Sequence, residues 1–141
     1  MDSQVATRLA EQDIRYTRAR RAVVAVLQDI DGPRTAAEIH ESLRGDVPLS
    51  SLYRTLSVLE QTDVLVPHTG TKGLIRYELA EWITGHHHHL VCLKCGTIED
   101  TDVPPSFESR MEKMVEKIGA STGFTAVDHS LEIHGVCSAC S

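Results

Sequence analysis

His86-His87-His88-His89-Leu90-Val91-Cys92-Leu93-Lys94-Cys95 is the stretch on which the architecture turns. Four imidazoles run into a short apolar strand that ends in a C-x-x-C turn, and a second such turn, Cys137-Ser138-Ala139-Cys140, lies far downstream. The two pairs use all four cysteines of the chain. Each C-x-x-C lets two thiolates converge on one ion, and two together complete the tetrahedral sulfur shell that suits structural zinc. Two local disulfides or a redox pair are the alternative. A duplicated C-x-x-C beside a histidine run matches zinc spacing better. Such a zinc ties the C-terminal end back to the middle of the chain.

The histidines carry a second message. Successive side chains of a strand point to opposite faces, so His86 and His88 face one way and His87 and His89 the other. One tetrad thereby offers imidazole pairs to two separate sites, where carboxylates complete an N/O shell. The candidates for completion are Glu78, Glu99, Glu108 and His129. His40 reads as structural and His134 has no assigned role. His68 sits in the hairpin region, where a surface histidine is the simplest reading and a ligand or DNA-side role the alternative.

Upstream of the tetrad the pattern is helical. Thr17 can cap a helix to about residue 30, with Val23, Val26, Leu27 and Ile30 forming one stripe. Thr35-Ala36-Ala37-Glu38 is a capping box opening a second helix that closes at Gly45. Ser50 can cap a third to about Thr62, burying Leu52, Leu56 and Leu59. Two β-like runs, 64–66 and 74–79, flank a hairpin signal at Gly70-Thr71-Lys72-Gly73. Three helices and a hairpin are the order of a winged helix-turn-helix. Its third helix turns Ser51, Tyr53, Arg54 and Ser57 outward, beside an arginine cluster that includes Arg15 and Arg20, and such side chains can contact phosphates and base edges.

Residues 80–85 have no period and read as a hinge. Beyond them, 87–93, 97–100 and 128–136 look like strands. Pro104-Pro105 precede a helix whose Phe107, Met111, Met114, Val115 and Ile118 form an apolar stripe suited to a core or a subunit interface. The expected organisation is α+β, with residues 1–80 a winged-helix DNA-binding domain, 81–85 a hinge and 86–141 a metal-binding domain.

Charge follows the same division. Of the net −6, residues 81–141 hold 4 Lys+Arg against 9 Asp+Glu, or −5, which leaves the Arg-rich front nearly balanced. An acidic, histidine-rich back suits cations, and the front tolerates phosphate. The N-terminal Met1-Asp2-Ser3-Gln4 lacks a secretory pattern, and no stretch approaches the ~20 apolar residues of a membrane span. A cytoplasmic location without a membrane partner is therefore expected.

Taken in order, Tyr16-Thr17-Arg18-Ala19-Arg20, Tyr53-Arg54-Thr55-Leu56, Tyr77-Glu78-Leu79, the stretch 86–96, and His129 eight residues before Cys137 resemble the ferric uptake regulator family of bacterial metal-dependent repressors. The resemblance covers nearly the whole length. It implies a homodimer with an N-terminal winged helix and a C-terminal α/β dimerisation domain, binding double-stranded operator DNA. It also implies a four-cysteine zinc site at Cys92, Cys95, Cys137 and Cys140. Glu78, His87, His89 and Glu99 are similar to the family's regulatory site; two imidazoles with carboxylates accept iron(II), zinc, manganese or nickel, and Fe2+, Zn2+ or Mn2+ is the expected regulatory metal. His86, His88, Glu108 and His129 are similar to its second site, with Glu112 the alternative to Glu108. The chain departs from the pattern at Arg34, where iron-sensing members often carry a histidine, and at Ala80, near which zinc-sensing members often carry a cysteine. Other readings are a zinc-dependent hydrolase using the His/Glu site and a zinc-stapled interaction module that does not bind DNA.

Overall fold

The computed structural model describes residues 1–70 and 72–141; Thr71, in the expected hairpin turn, lies outside the described residues. The front of the chain is helical: α1 (Asp2–Glu11), α2 (Arg18–Gln28), α3 (Ala36–Ser42) and α4 (Leu49–Gln61), with a two-residue strand β1 (Arg34–Thr35) between α2 and α3. Strands β2 (Leu65–Thr69) and β3 (Ile75–Leu79) pair antiparallel, and β1 adds to the free edge of β3.

Local chemistry explains most of these boundaries. Thr17 accepts a hydrogen bond from Arg20 N at the start of α2, and Thr35 and Glu38 form both halves of a capping box at the start of α3; a cap of this kind contributes about 1 kcal/mol. By contrast, α4 starts at Leu49 behind Pro48 with no side-chain cap, so Ser50 lies inside the helix rather than capping it. The residue pattern gives no sign of α1. Its inward face is only Val5 and Leu9, too sparse for a periodic signal, although both are completely buried.

One apolar core holds this half together. It joins Val5 and Leu9 to Val23, Leu27, Ile39, Leu52, Leu56, Leu59 and Val64, with Leu79 and the half-buried Ile83 at its lower edge. The stretch expected as an irregular hinge contains a single helical turn, α5 (Glu81–Thr84), which Ile83 fastens to that core. Gly85 follows with φ +92°, a left-handed backbone that favours glycine.

A second sheet comprises β4 (His88–Cys92), β5 (Ile98–Thr101) and β6 (Glu132–Gly135) in the order β5-β4-β6. The long helix α6 (Pro105–Thr122) connects β5 towards β6, with Pro105 in its first turn and Gly123 in the left-handed conformation after its end. The pairing of β4 with β6 is parallel. That choice is decisive for the cysteines, because a parallel pair carries both C-x-x-C turns to the same end of the sheet.

Little of this half is buried. Its buried apolar side chains are Val91, Cys92 and Ile98, whereas Phe107, Met114, Ile118, Phe124 and Val127 are exposed. An assembly with so small a core relies on a metal, a partner or both. The two halves touch at Gly32, where an added Cβ would stand 2.9 Å from the carbonyl oxygen of Ile98 in β5. Only glycine fits that approach, and it seats the front of the molecule beside the strand that carries Asp100. Among the described residues no helix is long and apolar enough to cross a membrane.

Candidate metal centres and nucleic-acid interface

The parallel β4–β6 pair brings the four thiols of Cys92, Cys95, Cys137 and Cys140 within 4.8 Å of one another. Cys95 Sγ and Cys137 Sγ are 3.8 Å apart. A tetrahedron with Zn–S bonds of about 2.3 Å has edges of about 3.8 Å, so the spacing fits zinc, whereas a disulfide needs about 2.05 Å. Cys92 Sγ accepts from the backbone N–H of Cys137 (3.4 Å) and of Cys95 (3.5 Å). Those donors draw the Cys92 thiol down to about 6, favouring the thiolate a metal requires, while hydrogen bonding with Cys137 pushes Cys140 up to about 12 in the unmetallated cluster.

Strand parity divides the tetrad. His87 and His89 converge with Glu78, on β3, and with Asp100, on β5. Glu78 is 8% exposed, and a buried carboxylate must be matched. Its Oε1 accepts from His89 Nε2 at 2.6 Å and from His68 Nε2 at 2.7 Å, and its Oε2 from His87 Nε2 at 3.1 Å. Burial alone would raise the Glu78 carboxyl; the His68 and His89 hydrogen bonds outweigh it and hold the group well below the usual carboxylate range. Asp100 first, then Glu78, draws His89 up to about 10. At His87 burial opposes the charged ring, but the Gly85 carbonyl and the two carboxylates prevail and raise its pKa. Protons on these rings occupy positions a divalent cation would take.

Glu99 is not brought into this cluster. Across the β4–β5 ladder Glu99 faces Leu90 and Asp100 faces His89, so Glu99 shares the opposite face, and Asp100 supplies the carboxylate instead. The cluster differs at that position from the set the resemblance implies. His68, read most simply as a surface histidine, is a half-buried neighbour of the cluster, its ring 4.6 Å from that of His89. Its signal in the sequence was present but non-local: on adjacent strands His68 and Glu78 are diagonal neighbours on one face.

On the other face, His86, His88, Glu108 and His129 form a second cluster. Glu108 stands in the first turn of α6. Its Oε2 accepts from His88 Nε2 at 2.7 Å, and its Oε1 lies 2.8 Å from both His86 Nε2 and His129 Nε2. Glu108 Oε1 and His129 Nε2 nevertheless make no aligned hydrogen bond despite being buried. The four ligand atoms lie within 4.8 Å of one another, a spacing that one cation could bridge. The His88 hydrogen bond leads the causes that lower the Glu108 pKa. Glu112 lines the same cleft of about 720 Å3 but is not part of the cluster.

The outward face of α4 presents Tyr53, 57% exposed, with Arg54 and Ser57 exposed and Ser51 half-buried. Arg15 is exposed at the head of α2, and its carbonyl accepts from Arg20 Nη1 at 2.6 Å. Two other arginines of the cluster are engaged within the fold: Arg18 pairs with Asp46 and Arg21 with Asp2, each at 2.5 Å.

A winged helix joined to a sheet lined with N/O and thiolate ligands defines a metal-responsive transcriptional regulator. The ferric uptake regulator family model matches residues 11–134. The ferric uptake regulation protein of Rhizobium leguminosarum bv. viciae is 32% identical over 129 residues, covering 89% of this chain and 86% of that protein. The zinc uptake regulation protein of Mycobacterium tuberculosis is 35% identical over 132 residues, covering 90% and 95%. Among solved structures, the Helicobacter pylori ferric uptake regulator, in which three functional metal binding sites were revealed, superimposes with a TM-score of 0.75 at 28% identity, covering 98% of this chain and 89% of that one. The chain belongs to the ferric uptake regulator family. Its members are DNA-binding transcription regulators, not enzymes, which disposes of the hydrolase reading. The four-cysteine cluster fits the structural zinc site of this fold.

Proposed function

We propose that the chain is a cytoplasmic, homodimeric repressor that grips double-stranded operator DNA when a divalent cation binds the hinge cluster. In this reading residues 1–80 form the DNA-binding module, 81–85 the hinge and 86–141 the metal-binding and dimerisation module. The observation that carries it is the composition of that cluster: Glu78 belongs to the wing, and His87, His89 and Asp100 belong to the second sheet. A ligand shifts an equilibrium only through its differential affinity for the two states. An ion bound to residues of both modules favours the arrangement in which they meet. In a dimer that arrangement sets the separation of two α4 helices, which must match half-sites about one helical turn apart.

The exposed Phe107, Met114 and Ile118, which share one face of α6, support dimerisation through the second module, because grouped exposed apolar side chains mark interaction surfaces. Tyr53 and Arg54 are assigned base and phosphate contacts, and Ser51, Ser57, Arg15 and Arg20 backbone contacts. Two imidazoles and two carboxylates without a thiolate form a shell open to Fe2+, Mn2+ or Zn2+; relatives named for ferric and for zinc uptake are consistent with that range.

The test is fluorescence anisotropy on a palindromic AT-rich duplex, using zinc-stapled protein stripped of other ions and then given Fe2+, Mn2+ or Zn2+ in turn. Binding should appear with at least one ion and vanish with chelator, and Arg54→Ala should cost about 1–3 kcal/mol of affinity. Equal binding by stripped and loaded protein would refute the proposal.

A further inference from the structure

The second cluster draws all four of its ligands from beyond Gly85, so an ion there has no ligand in the DNA-binding half. One outer contact crosses that divide. His86 Nε2 lies 2.8 Å from Glu108 Oε1, and its Nδ1 hydrogen-bonds Glu81 Oε2, 3.2 Å away. A histidine that gives Nε2 to a cation keeps its proton on Nδ1 and needs an acceptor there. A carboxylate in that position fixes the tautomer and strengthens the ligand. Glu81 stands where such an acceptor should stand, and it lines the same cleft as His86, His88, Glu108 and His129.

Glu81 opens α5, and α5 is bound to the front of the molecule. Trp82 donates from Nε1 to the carbonyl of Asp63, just past the end of α4, at 2.6 Å. The Arg8 guanidinium of α1 lies 4.5 Å above the Trp82 ring. Ala80 is buried, and Ile83 packs into the winged-helix core. Gly85, with its left-handed backbone and open space where a Cβ would be, is the pliable link between this anchored turn and His86. The Glu81–His86 hydrogen bond therefore spans the link.

We propose that Glu81 is a positioning residue that couples occupancy of the second metal cluster to the orientation of the DNA-binding module, through the hydrogen bond from His86 Nδ1. Metal on His86 Nε2 holds the proton on Nδ1 and the ring in line with Glu81; α5 then sits at a fixed angle to the second sheet. Loss of that ion frees the His86 ring and loosens α5, even though no ligand of the cluster touches the front module. Asp128, in the loop before β6, stands near both Glu81 and His86, but the hydrogen bond to His86 Nδ1 is made by Glu81. The inference rests on the metal-dependent DNA binding proposed above and adds a second input to it.

The experiment is a double-mutant cycle on the full-length, zinc-stapled protein, with His129→Ala to disable the second cluster. Two quantities are read. One is the Co2+ affinity of the second cluster, followed by ligand-field absorption; the other is affinity for the palindromic duplex at saturating Co2+. Glu81→Ala should weaken Co2+ at the second cluster about tenfold or more. It should also lower DNA affinity about fivefold, with unchanged Co2+ affinity at the hinge cluster. In the double variant the DNA loss should equal that of His129→Ala alone. Glu81→Gln, which keeps an oxygen acceptor for His86, should recover most of both losses. A Gln variant as impaired as the Ala variant, additive DNA losses, or no change in second-cluster Co2+ affinity would each overturn the coupling. Wild-type DNA binding that ignores metal altogether would instead overturn the repressor reading on which the coupling rests.

Discussion

Asp100→Asn and Glu99→Gln form a matched pair of substitutions one residue apart on β5, and the structure expects opposite outcomes. Asp100 Oδ1 lies 3.3 Å from His89 Nε2 and 3.5 Å from His87 Nε2, so its charge faces the point between both imidazoles where an ion would sit. Asparagine keeps the size and an oxygen donor and removes only the charge. A charge-assisted contact is worth about 1.5–3 kcal/mol, and each 1.4 kcal/mol is tenfold in affinity. The unscreened figure for unit charges near 3.5 Å is larger, about 5 kcal/mol at an effective dielectric of 20; the retained oxygen and the 32% exposure of the Asp100 side chain bring it down. Asp100→Asn should therefore raise the metal concentration needed for DNA binding about tenfold to a hundredfold. Glu99 faces Leu90 on the far side of the sheet, and Glu99→Gln should leave that midpoint within about twofold, as surface substitutions generally do. The assay is anisotropy at fixed protein and duplex against a metal buffer series. A large shift for Glu99→Gln with none for Asp100→Asn would refute the register and the cluster built on it.

His68→Ala should weaken the hinge ion about tenfold, because His68 holds Glu78 Oε1 at 2.7 Å and outer partners of that kind are worth 10–100-fold; an unchanged chelator-competition curve would exclude the role. Cys95→Ser should strip the structural zinc and unfold or monomerise the second module, since zinc supplies folding energy directly, and a dimer of unaltered melting temperature in sedimentation and calorimetry would contradict it. Glu38 links the α3 cap to the buried Arg76 at 2.9 Å. Burial would raise its pKa, but hydrogen bonds from Thr35 and the charge of Arg76 outweigh that and lower it. A carboxylate lowered in the fold stabilises above its unfolded pKa, and that stability is lost as pH falls through the folded value. Glu38→Gln should thus cost about 1 kcal/mol at pH 7, discounted for a side chain 45% exposed, and the gap to wild type should close below about pH 4. A constant gap between pH 7 and pH 3 in denaturant unfolding would count against it.

What the sequence disclosed was whatever depends on local spacing. The C-x-x-C turns, the Thr35–Glu38 capping box and the Leu52, Leu56 and Leu59 face of α4 each need only a few neighbouring residues to declare themselves. Less legible were features set by a distant partner. α1 shows two inward residues and is held by a core assembled from α2 and α4. The turn of α5 hides in an aperiodic stretch because its stability comes from Trp82 and Ile83 docking elsewhere.

Asp100 in place of Glu99 is the sharpest case, since side-chain period in a strand is two and a slip of one residue exchanges the faces. Nothing within β5 itself settles which acidic residue points at His89; the β4–β5 register does. That register begins at the first C-x-x-C turn, where Gly96 N donates to the Cys92 carbonyl, Cys92 N donates to the Thr97 carbonyl, each at 2.9 Å, and Cys95 Sγ meets the Thr97 hydroxyl at 3.2 Å. Those contacts align the start of β5 with the end of β4, and so decide which residue of β5 opposes each residue of β4. The register of β4 with β5 is thus aligned beside Cys92 and Cys95, and it is what puts Asp100 rather than Glu99 next to His89.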